Sequence, residues 1–159
     1  MFSINDIVVH YRDGVATIVD KTSMAGNEYF VLHVKRLGDV SIYVPCNDPS
    51  NVIRPLLTHE DISNLIKYAK ELEVIFVGNT KKRRDEFKSR LASKDVHDVI
   101  YLCKLLYLYK TLPELPDGVK FGAMDVDMLL DAHRRLFDEL SVVLNVDVSD
   151  VEKQLIKYC

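Results

Sequence analysis

The sequence changes its hydrophobic period once, close to Leu57, and this change constrains the fold more than any other feature. Before that point, apolar residues alternate with polar ones in short runs that are separated by turn residues, a pattern typical of β-strands. After it, apolar residues recur every three or four positions, a pattern typical of amphipathic helices. We therefore predict an α+β chain of two domains, residues 1–57 and 58–159.

The front domain contains five short strand-like runs within about 50 residues, which is too few for a sandwich. This pattern favours a small, strongly bent β-barrel of the SH3 or Tudor type. In the fourth run, Val40, Ile42 and Val44 occupy alternate positions and are expected to share the core face. The residues between them would then face outward.

The rear domain is predicted to be a bundle of four or five helices. One helix, from Gly78 to about Ala92, is very polar and has only Phe87 and Leu91 as large apolar residues. The helix that follows is apolar nearly all the way round, which is typical of a central helix covered on several sides.

The sequence contains no recognisable catalytic or metal-binding motif. The histidines are scattered, no Cys-x-x-Cys or His-Glu-x-x-His motif occurs, and the glycines form no phosphate-binding loop. Asp125, Asp127 and Asp131 lack the central glycine of a calcium loop and instead indicate the start of a helix, whose dipole acidic residues stabilise.

We therefore predict that the protein is not an enzyme and needs no metal, cofactor or small-molecule substrate. Cys46 and Cys103 are interpreted as packing residues rather than nucleophiles. The alternative is an enzyme whose site is assembled from scattered residues such as His10, Asp13 and His33.

The number of cysteines and the length of the apolar stretches indicate the cellular compartment of the protein. The odd count of three widely spaced cysteines suggests reduced thiols. The first residues lack the basic start and apolar run of a signal peptide, and no apolar stretch approaches the ~20 residues that span a membrane. We expect a cytoplasmic protein without a membrane partner.

A basic run is the strongest local departure from average composition. Between Lys81 and Lys94 there are seven basic residues against two acidic ones, a net charge of +5 in a chain whose total is −3. A charge run is usually a solvated helix face, but segregation this strong favours a helix that contacts phosphates. Backbone N–H groups exposed at a helix start add to the attraction for phosphate.

The residues at the start of the chain resemble the CarD/CdnL family of bacterial transcription regulators. Its front module is shared with the polymerase-interacting domain of transcription-repair coupling factors. The family opens with Phe-x-x-Gly-Asp-x-Val-Val-Tyr-Pro-x-His-Gly-Val-Gly. Residues 2–16 here are Phe-Ser-Ile-Asn-Asp-Ile-Val-Val-His-Tyr-Arg-Asp-Gly-Val-Ala. Residues 52–56, Val-Ile-Arg-Pro-Leu, are similar to the family's Gly-Leu-Arg-Pro-Leu, and residues 121–122 and 138–144 extend the resemblance over essentially the whole chain.

The resemblance implies that the front module docks on a lobe of the RNA polymerase β subunit. Docking would add an exposed strand of the module to a polymerase sheet, so that main-chain hydrogen bonds supply affinity and alternate side chains supply specificity. The polymerase-binding residues implied in this way are Ser41, Tyr43 and Pro45.

The resemblance also implies that the helical domain lies against promoter DNA at the upstream edge of the melted region and stabilises the open complex. In the family, a tryptophan at the start of the basic helix wedges into the minor groove. That position is about Thr80 here, and the chain has no tryptophan. Phosphate contacts without sequence preference are expected from Thr80, Lys81, Lys82, Arg83, Arg84 and Lys88. Because the wedge is missing, a polymerase-bound protein–protein adaptor without significant DNA binding remains the alternative.

Overall fold

The computed structural model describes residues 1–38 and 40–155, except for the side chains of residues 117, 154 and 155. The chain divides into two compact units, one ending at Leu57 and the other starting at Thr58, where the hydrophobic period changes. All described strands belong to the first unit and all described α-helices to the second, so the predicted α+β class is confirmed.

The first unit is a five-stranded antiparallel sheet. Its strands are β1 (Ile7–His10), β2 (Gly14–Met24), β3 (Asn27–Val34), β4 (Ser41–Pro45) and β5 (Ile53–Pro55). Their order in the sheet is β4-β3-β2-β1-β5. Because β4 and β5 lie at opposite edges and do not pair within the described residues, the expected small barrel takes the form of an open sheet.

One face of this sheet packs into a core of alternating residues. Its buried members are Val8, Ala16, Ile18, Phe30, Leu32, Val34, Val44 and Ile53. Val40 is not among them, since it precedes β4 and is 51% exposed, so its predicted place in the core is wrong. Side chains alternate between the two faces only where the strand is paired, and Val40 precedes Ser41, the first residue of β4 that pairs with β3.

The hairpin between β2 and β3 turns at Ala25 and Gly26. Both residues have positive φ, +50° and +81°, and the flanking Met24 and Asn27 are paired. Two central residues with positive φ define the type I′ turn, whose twist matches that of the strands. Glycine adopts this backbone freely, whereas alanine adopts it at a cost.

The second unit consists of helices. They are α1 (His59–Glu71), α2 (Thr80–Ala92), α3 (Val96–Thr111), α4 (Ala123–Leu144) and α5 (Val148–Leu155). A capping box between Thr58 and Asp61 starts α1, and the side chain of Asn79 accepts the Lys82 N–H at the start of α2. The polar pattern therefore predicts the end of α2 at Ala92 correctly and places its start two residues too early.

Helix α3 is the centre of the second unit and packs against α1, α2 and α4, as its apolar circumference predicted. Leu102, Leu105 and Leu106 are almost completely buried on it. Lys104 is buried too, and its ammonium donates to the carbonyl oxygens of Ala69 and Leu72 at 2.5 Å each. A cation at the last carbonyls of α1 satisfies groups that a helix end leaves without partners.

The hairpin turn yields a test of the fold. We expect Ala25→Asn to raise the free energy of unfolding by about 1 kcal/mol, because asparagine accepts positive φ better than alanine and Asn-Gly is a preferred type I′ pair. Urea unfolding followed by circular dichroism measures the change. Ala25→Val is the matched control and should destabilise, and a loss of stability in Ala25→Asn would contradict the turn assignment.

Candidate functional site

Strand β4 presents the longer open edge of the sheet. It contains five residues, and its outer side is unpaired within the described part of the chain. The opposite edge strand, β5, has three residues and ends at Pro55, which has no backbone N–H. Both edge strands end in proline, so the difference between them is length: a very short edge such as β5 resists the addition of another strand, whereas the longer open edge of β4 permits it.

The register between β3 and β4 shows which backbone groups of β4 are already used. The Cys46 N–H donates to the Glu28 carbonyl oxygen at 2.9 Å, and this pair continues the β3–β4 register. Hydrogen-bonded and non-hydrogen-bonded pairs alternate along an antiparallel ladder. Ile42 and Val44 therefore belong to the bonded pairs, and their backbone groups point towards β3.

The three predicted polymerase-binding residues occupy the other positions of β4. The backbone groups of Ser41, Tyr43 and Pro45 point away from β3, so the edge presents the N–H groups of the first two and the carbonyl oxygens of all three. The Tyr43 side chain is 50% exposed, and those of Ser41 and Pro45 are partly buried. The structure thus brings them together on one open edge, while their role in binding stays a prediction.

The basic run on α2 and just after it divides by residue type. Its exposed members are the lysines, Lys81, Lys82, Lys88 and Lys94. Its arginines hold the fold together through partly or completely buried contacts, and they are Arg83, Arg84 and Arg90. Thr80, the first residue of α2, is exposed beside the lysines. Arginine forms several directed hydrogen bonds at once and suits buried ion pairs, whereas lysine is a strongly hydrated point charge.

Arg83 is 2% exposed and lies at the centre of this arrangement. Its Nη1 donates to the carbonyl oxygens of Val77 and Gly78 at 2.8 and 3.2 Å. Its Nη2 donates to the carbonyl oxygen of Lys120 at 3.2 Å and to Oδ2 of Asp125 at 2.9 Å. The expectation that Arg83 contacts DNA needs correction, because its guanidinium is buried and committed to these four oxygens.

Asp125, in the first turn of α4, receives hydrogen bonds from α2 and from the residue that precedes α4. Besides Arg83, the Arg84 Nε donates to Oδ1 at 3.2 Å and the Gly122 N–H donates to Oδ2 at 2.8 Å. Burial raises the pKa of Asp125, but the hydrogen bonds from Arg83, Gly122 and Arg84 outweigh it and hold the pKa below its ordinary value. The carboxylate is therefore charged at neutral pH and links α2 to α4.

The other two arginines of the run are only partly available. Arg84 keeps 31% of its side chain exposed while it contacts Asp125. Arg90 donates to Glu86 at 3.1 Å and to Asp98 at 2.6 Å, and its guanidinium lies 3.7 Å from the centre of the Tyr101 ring. Arg84 can still approach a ligand, whereas Arg90 is neutralised by two carboxylates.

A signal for the burial of Arg83 is present in the sequence. Arg83, Phe87 and Leu91 are four residues apart and therefore share one face of α2. Phe87 is 1% exposed, and Leu91 is partly buried. A basic residue in register with the only large apolar residues of a helix indicates a buried cation with a carboxylate partner.

Residues of the alternative enzyme site come together only in part. His10 Nδ1 lies 2.9 Å from Asp13 Oδ2, and both residues are buried in the first hairpin. His33 is exposed on β3 opposite Ser41, and β2 lies between β3 and β1. The described residues contain no group of three potential metal ligands.

Neither the described thiols nor the described helices indicate a further kind of functional site. Cys46 and Cys103 are partly buried and form no disulfide within the described residues, and Cys159 lies outside them. Burial raises the pKa of the Cys46 thiol, whereas an activated nucleophile needs a lowered pKa. Among the described helices, none has the length and apolar character needed to cross a membrane.

The Arg83–Asp125 pair yields a second prediction. Asp125→Asn should lower the free energy of unfolding by about 3 kcal/mol at neutral pH, because it leaves a buried guanidinium without its counter-charge. Since the folded pKa of Asp125 lies below the unfolded value of 3.8, the carboxylate's contribution is complete above about pH 4 and is lost as pH falls through the folded pKa.

Urea titrations followed by helical circular dichroism from pH 7 to pH 3 measure this contribution. The gap between the two proteins should shrink towards low pH. The exposed neighbour Lys82→Met is the control and should change stability by less than about 0.5 kcal/mol. An Asp125→Asn protein as stable as the parent at pH 7 would show that the ion pair does not stabilise the unit.

Comparison with known proteins identifies the first unit. Residues 2–57 match the family model of the CarD-like/TRCF RID domain, a family that interacts with the RNA polymerase β subunit. No curated protein matches the chain. The matched residues end where the first unit ends and include every strand of the open sheet. The amino-terminal unit therefore matches the CarD-like/TRCF RID domain from residue 2 to residue 57, whereas the second unit lies outside the match.

Proposed function

We propose that this protein is a non-enzymatic transcription regulator that binds the RNA polymerase β subunit by adding a polymerase strand to β4. The observation that supports this most is the open β4 edge within a domain of a polymerase-interacting family. An incoming strand would pair with the N–H groups of Ser41 and Tyr43, whose direction follows from the β3–β4 register. The Tyr43 ring would supply a side-chain anchor on the outward face.

Backbone pairing and side-chain contact can be separated at Tyr43. Tyr43→Ala removes the ring and keeps the N–H, so binding should weaken by about 1–2 kcal/mol. Tyr43→Pro removes the N–H as well and should weaken binding much further. The sheet should tolerate the proline because this N–H points away from β3, and edge positions of that kind accept proline.

Binding is measured by titrating an isolated β-subunit lobe fragment against the full chain, with circular dichroism to check the fold. Ser23→Ala is the matched control, since Ser23 is exposed on β2, two strands away from the β4 edge, and this variant should bind close to wild type. A folded Tyr43→Pro protein that binds as well as Tyr43→Ala would exclude strand addition at this position.

The second part of the proposal is contact between the exposed lysines of α2 and promoter DNA, which would help to stabilise the open complex. Lys81, Lys82 and Lys88 are exposed on the same helix, and Arg84 is partly exposed beside them. Lysine side chains of this kind contact phosphates without reading the base sequence. Thr80, at the start of α2, offers no aromatic ring to unstack a base step, so DNA binding would be weak and nearly independent of sequence.

Salt dependence tests the DNA contact. With three lysines reaching phosphates, the slope of log K against log salt should be about −3 for duplex DNA, because each contact contributes about −0.9. The charge-reversed Lys81→Glu/Lys82→Glu variant should lose duplex binding and keep binding to the polymerase lobe. Fluorescence anisotropy with a labelled duplex between 25 and 200 mM salt (roughly one decade, over which counterion release acts) gives the slope.

A specific observation favours the adaptor as the second candidate. Arg83 and Arg90 are committed to carboxylates and backbone oxygens, and the acidic Asp85 is exposed on the same helix as the lysines. If the charge-reversed variant binds duplex as well as the parent does at low salt, the lysines form only a solvated face and the protein is a polymerase-bound adaptor.

A further inference from the structure

The chain between α1 and α2 contains an extended stretch that belongs to no described sheet. Residues 73–77, here called the connecting segment, contain no turn and no residue with positive φ. Burial alternates along its first residues: Val74 and Phe76 pack against the helical core, whereas Glu73 and Ile75 are exposed. Alternation with a period of two is the geometry of a β-strand. The segment is therefore a single strand-like stretch that lies on the core of the second unit.

One lateral side of the connecting segment is bonded to the helices. The Ile75 N–H donates to the hydroxyl of Tyr101, on α3, at 3.0 Å. The carbonyl oxygen of Val77 accepts a hydrogen bond from Nη1 of Arg83, on α2, at 2.8 Å. In an extended chain, the backbone groups of every second residue point to the same side. The groups of Ile75 and Val77 therefore share the side that faces α2 and α3.

The opposite lateral side is an open edge. By the same alternation, it presents the N–H groups and the carbonyl oxygens of Val74 and Phe76. Within the described part of the chain, none of these backbone groups has a hydrogen-bond partner. Backbone groups of this kind are rarely left without any partner, so either water or another chain must satisfy them. A second strand can do so by pairing along the edge.

The side chain of Ile75 projects from the outer face of this edge. It is 71% exposed, more than any other large apolar side chain that the structure describes in the second unit. Isoleucine favours strands, where it packs against the residue opposite it on the same face. An incoming strand would therefore cover Ile75 as well as the unpaired backbone groups.

The unpaired groups are arranged symmetrically about Ile75, so the segment complements itself. When two copies align antiparallel with Ile75 at the centre, Val74 of each copy lies opposite Phe76 of the other. Residues opposite each other in a bonded pair exchange both hydrogen bonds, so every unpaired group gains a partner. The two Ile75 residues then form the non-bonded pair between them, where side chains approach most closely.

The charges around the segment favour the same antiparallel direction. Residues 70–77 contain two glutamates, Glu71 and Glu73, against one lysine, whereas residues 78–84 contain four basic residues and no acidic one. Of these, Lys81 and Lys82 are exposed. Antiparallel pairing directs the acidic end of one copy towards the basic end of the other. Parallel pairing would place like charges side by side, which is unfavourable.

We propose that the connecting segment is a self-association edge, on which two copies of the chain pair antiparallel about a two-fold axis at Ile75. Such an interface is isologous, because each copy contributes the same residues. Two short strands bury little surface, so the dimer is weak and forms at high protein concentration. The inference does not rest on polymerase binding, since all of its residues belong to the second unit.

Cross-linking tests the position of the axis. In full-length Cys46→Ala/Cys103→Ala/Cys159→Ala protein, whose fold is checked by circular dichroism, Ile75→Cys should form a disulfide-linked dimer under mild oxidation. The reason is that Cα atoms in a non-bonded pair lie about 4.5 Å apart, which a disulfide can span.

Glu73→Cys, in the same background, is the matched control at another exposed residue of the segment. Antiparallel pairing about Ile75 puts residue 73 opposite Val77, so the two introduced thiols would lie about 13 Å apart and should not link. Mixed with Val77→Cys protein, Glu73→Cys protein should link, and only between the two variants. Linkage of Glu73→Cys to itself as efficient as that of Ile75→Cys would overturn the antiparallel register.

Sedimentation velocity of the full chain between about 1 μM and about 1 mM, a range that covers weak interfaces, measures association without a cross-link. The parent should form dimers as its concentration rises. Ile75→Lys places two like charges opposite each other and should raise the dissociation constant roughly tenfold or more. Leu112→Lys is the control and should dimerise like the parent, because Leu112 is also exposed but lies about 16 Å further along α3 than Tyr101.

The outcomes decide between self-association and another occupant of the edge. A parent that stays monomeric over the whole range refutes the inference, and so does equal dimerisation by the parent and Ile75→Lys. Because Ile75 is exposed, this substitution should leave the thermal unfolding of the chain unchanged, so a loss of dimer reports on the edge itself. If the parent is monomeric and Ile75→Lys weakens binding to the β-subunit lobe fragment, the edge takes a strand of another protein and the inference is wrong.

Discussion

The buried ion pair between Arg83 and Asp125 is the interaction on which the second unit's surface depends. Breaking such a pair by removing one partner leaves an uncompensated charge in the interior, which is far more costly than losing an exposed salt bridge. Here it joins the first turn of α2 to the first turn of α4 and also holds the backbone that leads into α4. The pair therefore decides which basic side chains remain for a ligand, because it takes one arginine out of solvent and keeps a second partly occupied.

In the first unit, the corresponding constraint is the alternation of hydrogen-bonded pairs along the β3–β4 ladder. It uses the backbone groups at every second residue of β4 and leaves the others directed outward at the sheet edge. The same alternation turns Val44 into the core and the Tyr43 side chain towards the outer face. This alternation therefore gives Tyr43 both an outward-pointing backbone N–H and an exposed aromatic side chain.

Much of the fold follows from the sequence because it depends on local periodicity. The α+β class, the end of α2 and the central position of α3 could all be predicted from the sequence pattern. The open sheet could not, since closure depends on whether β4 and β5 meet, which is a matter of long-range geometry. Val40 has the residue type and parity of a core residue but lies one residue before its strand, so alternation alone predicts its place wrongly.

The same distinction between local pattern and long-range contact applies to the candidate sites. Alternation along β4 is enough to direct the Ser41 and Tyr43 side chains away from the core, whereas the exposure of a strand edge follows only from the family resemblance. The charge of the basic run predicts that Arg83 contacts DNA, but its helical face predicts burial. Its burial depends on Asp125, 42 residues away, and no local pattern specifies that contact. The Arg83–Phe87–Leu91 spacing would have indicated burial, although not the partner.

Strand addition at β4 is the central claim, and amide hydrogen exchange resolved by residue tests it most directly. The full chain is compared with and without a β-subunit lobe fragment. The amides of Ser41 and Tyr43, which point away from β3, should become protected in the complex. Those of Ile42 and Val44, already bonded to β3, should change little. Protection confined to β5, or no difference between the two pairs of amides, would contradict the account.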